Sequence, residues 1–185
     1  MPLVGALAGI LGKRLFPKNI VFGNIVHGLP IADNSADAAY SSHVLEHLGR
    51  DDAEIALVNT FRMLKPGGVF RMIVPDLQWR AARYLHDQKA RDDKAADVFI
   101  ASLHMGVRGR PRGLLAPLRA TFGNSRHYWF YDAALMTELL SKAGFVNIRR
   151  CTFHDSSDQM FRSVEAMDRF FDDGEAECAL EAHKP

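Results

Sequence analysis

Two stretches decide the fold: Asp37-Ala-Ala-Tyr-Ser-Ser-His-Val-Leu-Glu-His-Leu48 and Phe61-Arg-Met-Leu-Lys-Pro-Gly-Gly-Val-Phe-Arg-Met-Ile-Val-Pro-Asp76. In the first, Ala38–Ser41 is a short run of apolar and small residues. It follows the turn chemistry of Ile31-Ala-Asp-Asn-Ser-Ala-Asp37 and reads as a strand. In the second, Val69–Val74 reads as a buried strand ended by Pro75. Between them Ala53, Leu57, Phe61 and Leu64 recur at helical spacing, with Asp51 or Asp52 as the cap. Lys65-Pro-Gly-Gly68 stops that helix, because Pro66 cannot continue it and glycine tolerates positive φ. Strand, helix, strand predicts adjacent parallel strands joined by a right-handed crossover.

Outward from this unit, the pattern continues to alternate. Ile20–Ile25 is a β-branched run that predicts a strand leaving at Gly23-Asn24. Gln78–Ile100 is helical in pattern, with Leu77, Ala81, Tyr84 and Leu85 on one face. Asp132 is placed to cap a further helix with the stripe Leu135, Met136, Leu139, Leu140 and Ala143, closed by Gly144. Phe145–Phe153 and Glu177–His183 predict the last strands. The class is α/β.

The 185 residues suit a single domain spanning 1–185. A net charge of +1 excludes global attraction to nucleic acid or to a membrane, leaving a small-molecule partner as the expectation. Cys151 and Cys178 are too few for a disulfide framework and read as buried strand residues, so a reducing, cytoplasmic setting is expected. Met1–Gly12 is apolar but shorter than a bilayer span, and its charges, Lys13 and Arg14, follow the run instead of preceding it. Residues 1–17 are therefore expected to form a helical segment. Residues 98–131 form a basic insertion carrying Arg108, Arg110, Arg112, Arg119 and Arg126 without a single acid, either a solvated loop or an anion-binding lid.

The Ser-Ser-His-Val-Leu-Glu-His-Leu and Leu-Lys-Pro-Gly-Gly segments resemble the class I S-adenosylmethionine-dependent methyltransferases, in particular a bacterial group bearing both motifs. The resemblance covers about residues 18–185. It implies a Rossmann-like methyltransferase sheet, mainly parallel with an antiparallel C-terminal strand, ordered 3-2-1-4-5-7-6 in the family, with Ala38–Ser41 as the fourth strand. It also implies S-adenosylmethionine as cofactor, bound at the C-terminal ends of the strands. On this carry-over Asn24 and Ile25 meet the adenine, while Ser41, Ser42 and His43 meet the methionine part. His43 is the candidate catalytic group, and His47, Asp76, His127 and Tyr128 are candidate acceptor contacts.

The family's opening strand, its glycine-rich turn and the acid that holds the ribose have no counterpart here. Gly5-Ala-Leu-Ala-Gly9-Ile-Leu-Gly12 lacks the Gly-x-Gly core and follows no strand. The expectation is a sheet missing its first strands, through an upstream gene start or a degenerate fold, with weak or absent cofactor binding. An uncovered fourth strand invites pairing, and a homodimer is the expected remedy.

His43-Val-Leu-Glu46-His47 also fits the inverted zinc motif His-x-x-Glu-His, in which two histidines one helical turn apart ligate a metal and the glutamate acts as base. The methyltransferase reading of the same segment assigns no metal. Arg126-His-Tyr-Trp-Phe-Tyr131 is either an aromatic plug or an acceptor-site wall. Trp79, Phe161, Phe170 and Phe171 read as core or partner-facing residues, and Asp172–Glu175 as a solvated turn. The functional alternatives are methyl transfer to a small-molecule or sugar-type acceptor, a non-catalytic, methyltransferase-like interaction module and, remotely, zinc hydrolysis through His-x-x-Glu-His.

Overall fold

β1 (Ala36–Ser42) and β2 (Leu64–Pro75) lie side by side and parallel, joined through α1 (Arg50–Met63), in the computed structural model, which describes residues 20–106, 127–172 and 174–185. The predicted strand–helix–strand unit is therefore present. Ala36 pairs Leu64 and Ala38 pairs Val69, so Lys65–Gly68 bulges out between two ladder pairs, with Gly67 at φ +78°. The helix stop seen in the sequence is thus part of a long, bulged strand. Helix α1 starts after Gly49, which makes no side-chain cap, and Asp51 and Asp52 sit inside its first turn. There they lie favourably at the positive end of the helix dipole without capping it.

Beyond β2 come α2 (Leu77–Lys89), α3 (Ala95–Ser102), α4 (Ala133–Lys142), β3 (Val146–Arg150), β4 (Phe171–Asp172) and β5 (Glu175–His183). The sheet runs β1-β2-β5-β3, and β4 pairs the start of β5. β5 is antiparallel to both β2 and β3. β1, β2 and β3 therefore share one direction and the C-terminal strand opposes them, as expected. Among the described residues no strand lies outside β1.

Three expectations are corrected. Residues 20–25 are not a strand: Asn24 bridges Gly28, and the Asn24 side-chain oxygen accepts from Val26 N–H at 2.9 Å. With no partner strand among the described residues, asparagine's local hydrogen bonding wins, and Phe22 is left 87% exposed. The helix predicted over 78–100 is broken at 90–94, where Arg91 takes φ +59° and Asp92 caps Lys94 N–H at 2.9 Å. Of its expected apolar face Leu77, Ala81 and Tyr84 are partly buried, Leu85 is exposed, and Arg80 is the buried residue of the helix. The strand over 145–153 ends at Arg150 after a register shift at Asn147. Met1–Gly12 and the five insertion arginines lie outside the described residues.

The two sheet faces differ. One packs Phe70, Met72, Val74, Cys178, Leu180 and Ala182 against Ala53, Ala56 and Leu57 of α1 and Met136, Leu139 and Leu140 of α4. The other packs Ile73 and Ala179 with Tyr40 against Cys151, Phe153 and Phe170. Segment 151–170 thus roofs the second face, and its course brings Arg169 over the end of β1.

Candidate active site

His43 follows β1, and its N–H still donates to Ile73 C=O at 3.0 Å. It then takes φ +53°, turning the chain from the strand into a 3-10 turn at Leu45–His47. Left-handed backbone at a non-glycine residue is uncommon, though histidine tolerates it better than most. Nδ1 lies 3.3 Å from Glu46 Oε1 and Nε2 3.2 Å from the Arg169 carbonyl. Both neighbours are acceptors, so the doubly protonated ring satisfies both. Burial opposes that charge, but Glu46 and the Arg169 carbonyl outweigh it, and the His43 pKa is raised. As placed, His43 holds a proton rather than taking one. Because the segment forms a short 3-10 turn and not an α-helix, His43 and His47 do not share the helical face that the inverted zinc motif requires.

Ser41 and Ser42 end β1. The Ser42 and Tyr40 hydroxyls are buried on the same face of β1 and interact with each other. Burial raises the Tyr40 pKa, and the contact with Ser42 works against it.

His47 and His127 are brought together, their rings 4.8 Å apart and edge-on. A strap at 127–131 holds them there. Tyr128 and Trp129 N–H donate to the Glu46 carbonyl at 2.7 and 3.3 Å, and Leu77 N–H donates to the Tyr131 carbonyl at 2.9 Å. Phe130 and Tyr131 are buried while Tyr128 is 63% exposed. The aromatic cluster is therefore a plug at one end and an accessible wall at the other. Burial pushes the His127 pKa down to about 4; Glu46 works against this, and His47, His104 and Arg80 work with it.

Asp76 has structural partners: it caps α2 by accepting from Gln78 and Trp79 N–H at 2.9 and 3.3 Å, and Arg150 lies 3.6 Å from its other oxygen. Asn24 and Ile25 do not join this group. Asn59 donates to the Ile25 and Val26 carbonyls at 2.7 and 3.1 Å. Asn59 is near the C-terminal end of α1, whereas His43 precedes its N-terminal end, so most of the helix length separates them.

Sequence reasoning missed a buried charge cluster. Arg71, wholly buried in β2, pairs with Glu165, with Glu181 at 2.9 Å and with Asp155 at 2.9 Å, and donates to the Thr152 carbonyl at 2.6 Å. The signal was an arginine inside an otherwise apolar strand, opposite a glutamate in Leu180-Glu-Ala182. A second cluster sets Arg80 against Glu175 at 3.0 Å and Glu177 at 2.9 Å, so Glu175 is buried and paired, not part of a solvated turn. Cys151 and Cys178 are buried as expected, with burial pushing each thiol up to about 12. Phe161 and Phe170 are core residues, while Phe171 is exposed.

A methyltransferase-domain family profile matches residues 10–72. Among solved structures, a SAM-dependent methyltransferase from Archaeoglobus fulgidus is 14% identical with a TM-score of 0.54, over 95% of this chain and 72% of that one. A SAM-dependent methyltransferase from Thermotoga maritima is 18% identical with a TM-score of 0.49, over 97% and 70%. Phosphoethanolamine N-methyltransferase 2 from Haemonchus contortus, in complex with S-adenosyl-L-methionine, is 12% identical with a TM-score of 0.44, over 88% and 36%. No curated protein sequence matches. Among the described residues no helix is long and apolar enough to cross a membrane. The β1-β2-β5-β3 path matches the 4-5-7-6 half of the sheet that the resemblance implied, and the fold is that of the Rossmann-like methyltransferases.

Proposed function

We propose that the protein transfers a methyl group from S-adenosylmethionine to a small-molecule or sugar-type acceptor at the C-terminal ends of β1 and β2. The observation that carries the reading is the parallel β1–α1–β2 unit, which sets Ser41, Ser42 and His43 at the C-terminal end of β1 beside β2. Open α/β sheets take their ligands at that end. On this side the residues fit the cofactor: Ser41, Ser42 and His43 would hold its amino-acid end. The bound cofactor supplies an electrophilic methyl group. The chain's own task is alignment, since orienting the acceptor accounts for much of such a rate enhancement. His47, His127 and the exposed Tyr128 are the acceptor contacts in this reading. His43 orients through its two hydrogen bonds and becomes a base only once deprotonated. Asn24 and Ile25, at the far end of α1, take no part.

Weak binding is expected. The sequence offers no Gly-x-Gly turn for the cofactor carboxylate and no second-strand acid for its ribose. Hydrogen bonds to charged groups are worth about 1.5–3 kcal/mol each, so losing two or three removes roughly two to four decades of affinity. Calorimetry should show saturable S-adenosylmethionine binding weaker than about 10 μM, weakened further by Ser42→Ala. The second reading, a methyltransferase-like interaction module, is favoured by the way the His43 ring is tied to Glu46 and the Arg169 carbonyl. Absence of binding at about 1 mM cofactor would select it.

A further inference from the structure

We propose that Glu46, His47 and His127 form a binding site for one divalent transition-metal ion of the zinc class. One ligand atom from each lies within 4.8 Å of the others. Glu46 is 0% exposed; His43 Nδ1 stands 3.3 Å and His47 Nε2 4.0 Å from its Oε1, while its Oε2 has no hydrogen-bond partner. A buried carboxylate with a spare oxygen facing two imidazoles is a ready ligand. His127 Nδ1 is likewise buried without a partner. A carboxylate and two imidazoles from two chain segments thus stand within 4.8 Å of one another.

The donor set selects the ion. Two imidazoles and one carboxylate suit zinc, cobalt, nickel or iron(II), whereas calcium and magnesium take oxygen shells. Zinc ligands sit about 2.0–2.2 Å from the metal, hence roughly 3–4 Å from each other. The Tyr128 N–H to Glu46 C=O bond at 2.7 Å already holds the two backbones side by side, so the ligand atoms have only about 1 Å to close. Three protein ligands leave a coordination position open. His104, whose ring is 4.9 Å from that of His127, stands beside the site. The ion would neutralise Glu46 and staple strap 127–131 to the turn after β1. This set differs from the His-x-x-Glu-His motif: His43 is not a ligand, and Glu46 ligates instead of acting as base. The ion would take up the His47 and His127 side chains that the proposed function gives to the acceptor, so its open position faces the acceptor; metal uptake itself can be measured without methyl transfer.

The test uses the full chain, free of any affinity tag, stripped with a chelator and dialysed. Zn2+ titrated into it calorimetrically should bind at one equivalent with a dissociation constant of about 10 μM or tighter. Co2+ should give visible d–d absorption that Zn2+ abolishes. Glu46→Gln and His127→Gln should each weaken binding about tenfold or more. X-ray absorption of the zinc-loaded wild-type protein should show two imidazoles with oxygen and no sulfur, a readout that stands even where a variant fails to fold. No saturable uptake at about 100 μM Zn2+, sulfur in the shell, or unchanged affinity in folded Glu46→Gln and His127→Gln variants would each overturn the proposal.

Discussion

Arg71 is the residue on which the second sheet face depends. It is fully buried, it meets Glu165, Glu181 and Asp155, and Phe161 and Phe170 stack near its guanidinium at 5.9 and 5.8 Å. Removing one member of a buried charge cluster strands the others, which typically costs about 3–5 kcal/mol. Arg71→Met is therefore expected to lower the unfolding free energy by that amount in a urea titration. The cluster also sets the acid limit. Burial alone would raise the Glu181 carboxyl, but hydrogen bonds from Ser156 and Arg149 and the charge of Arg71 hold it below the usual range. Asp155 is lowered in the same way, with Arg149 and the Thr152 N–H outweighing burial. Folded pKa values below the unfolded ones give stability that is complete above about pH 4.5 and lost as pH falls through the folded values. Urea midpoints should drop between pH 5 and pH 3, roughly the range in which carboxylates titrate, and drop less in Arg71→Met. A flat wild-type profile over that range would contradict this account.

Helix ends carry the next scale of argument. Asp132 accepts from Leu135 N–H at 2.8 Å at the start of α4, and Asp132→Ala should cost about 1 kcal/mol in chemical denaturation. Lys184 does the complementary work on α1. Its ammonium donates to the Leu64 and Phe61 carbonyls at 2.8 and 2.9 Å and to Asn34 Oδ1 at 2.7 Å, and it lies 4.6 Å from the centre of the Phe61 ring. It thereby satisfies carbonyls that α1 leaves open and lies favourably at the negative end of the helix dipole. Lys184→Met should destabilise by about 1–2 kcal/mol, seen as a lower melting temperature, against a negligible change for the exposed Lys89→Met. The contrast explains what was legible. Asp132 and Gly144 announce their helix because the cap is local, and Gly144 does take φ +104°. Lys184 could not be read as a cap, since its partners lie some 120 positions away in sequence. Asp51 and Asp52 misled for the opposite reason: a good capping residue was present, but Gly49 took the position ahead of them.

At the scale of the molecule, periodicity and turn chemistry recovered the β1–α1–β2 unit, α4 and β5, because each is set by neighbours in sequence. The second sheet face was not recovered, since Arg71, Glu165 and Glu181 become partners only through tertiary packing. Likewise His47 and Asp76 could be placed at strand ends, but the meeting of His47 with His127 depends on how strap 127–131 lies across Glu46.

The free edge of β1 bears the last prediction. β2 pairs one side of β1, and among the described residues no strand pairs the other. Ala38, Ala39 and Ser41 along it are small and half-buried, without the lysines, prolines or inward charges that blunt such edges. Each ladder group left unpaired and away from water costs about 1–3 kcal/mol. A second copy related by a two-fold axis would pair its own β1 antiparallel to this one and close both edges at once. The expected species in sedimentation at micromolar concentration has about twice the 20.7 kDa of the chain. Amide exchange should be slowed specifically over Ala36–Ser42, and more so as concentration rises, where association covers that edge. A monomer at every concentration, with the β1 amides equally protected throughout, would show instead that the chain covers its own edge.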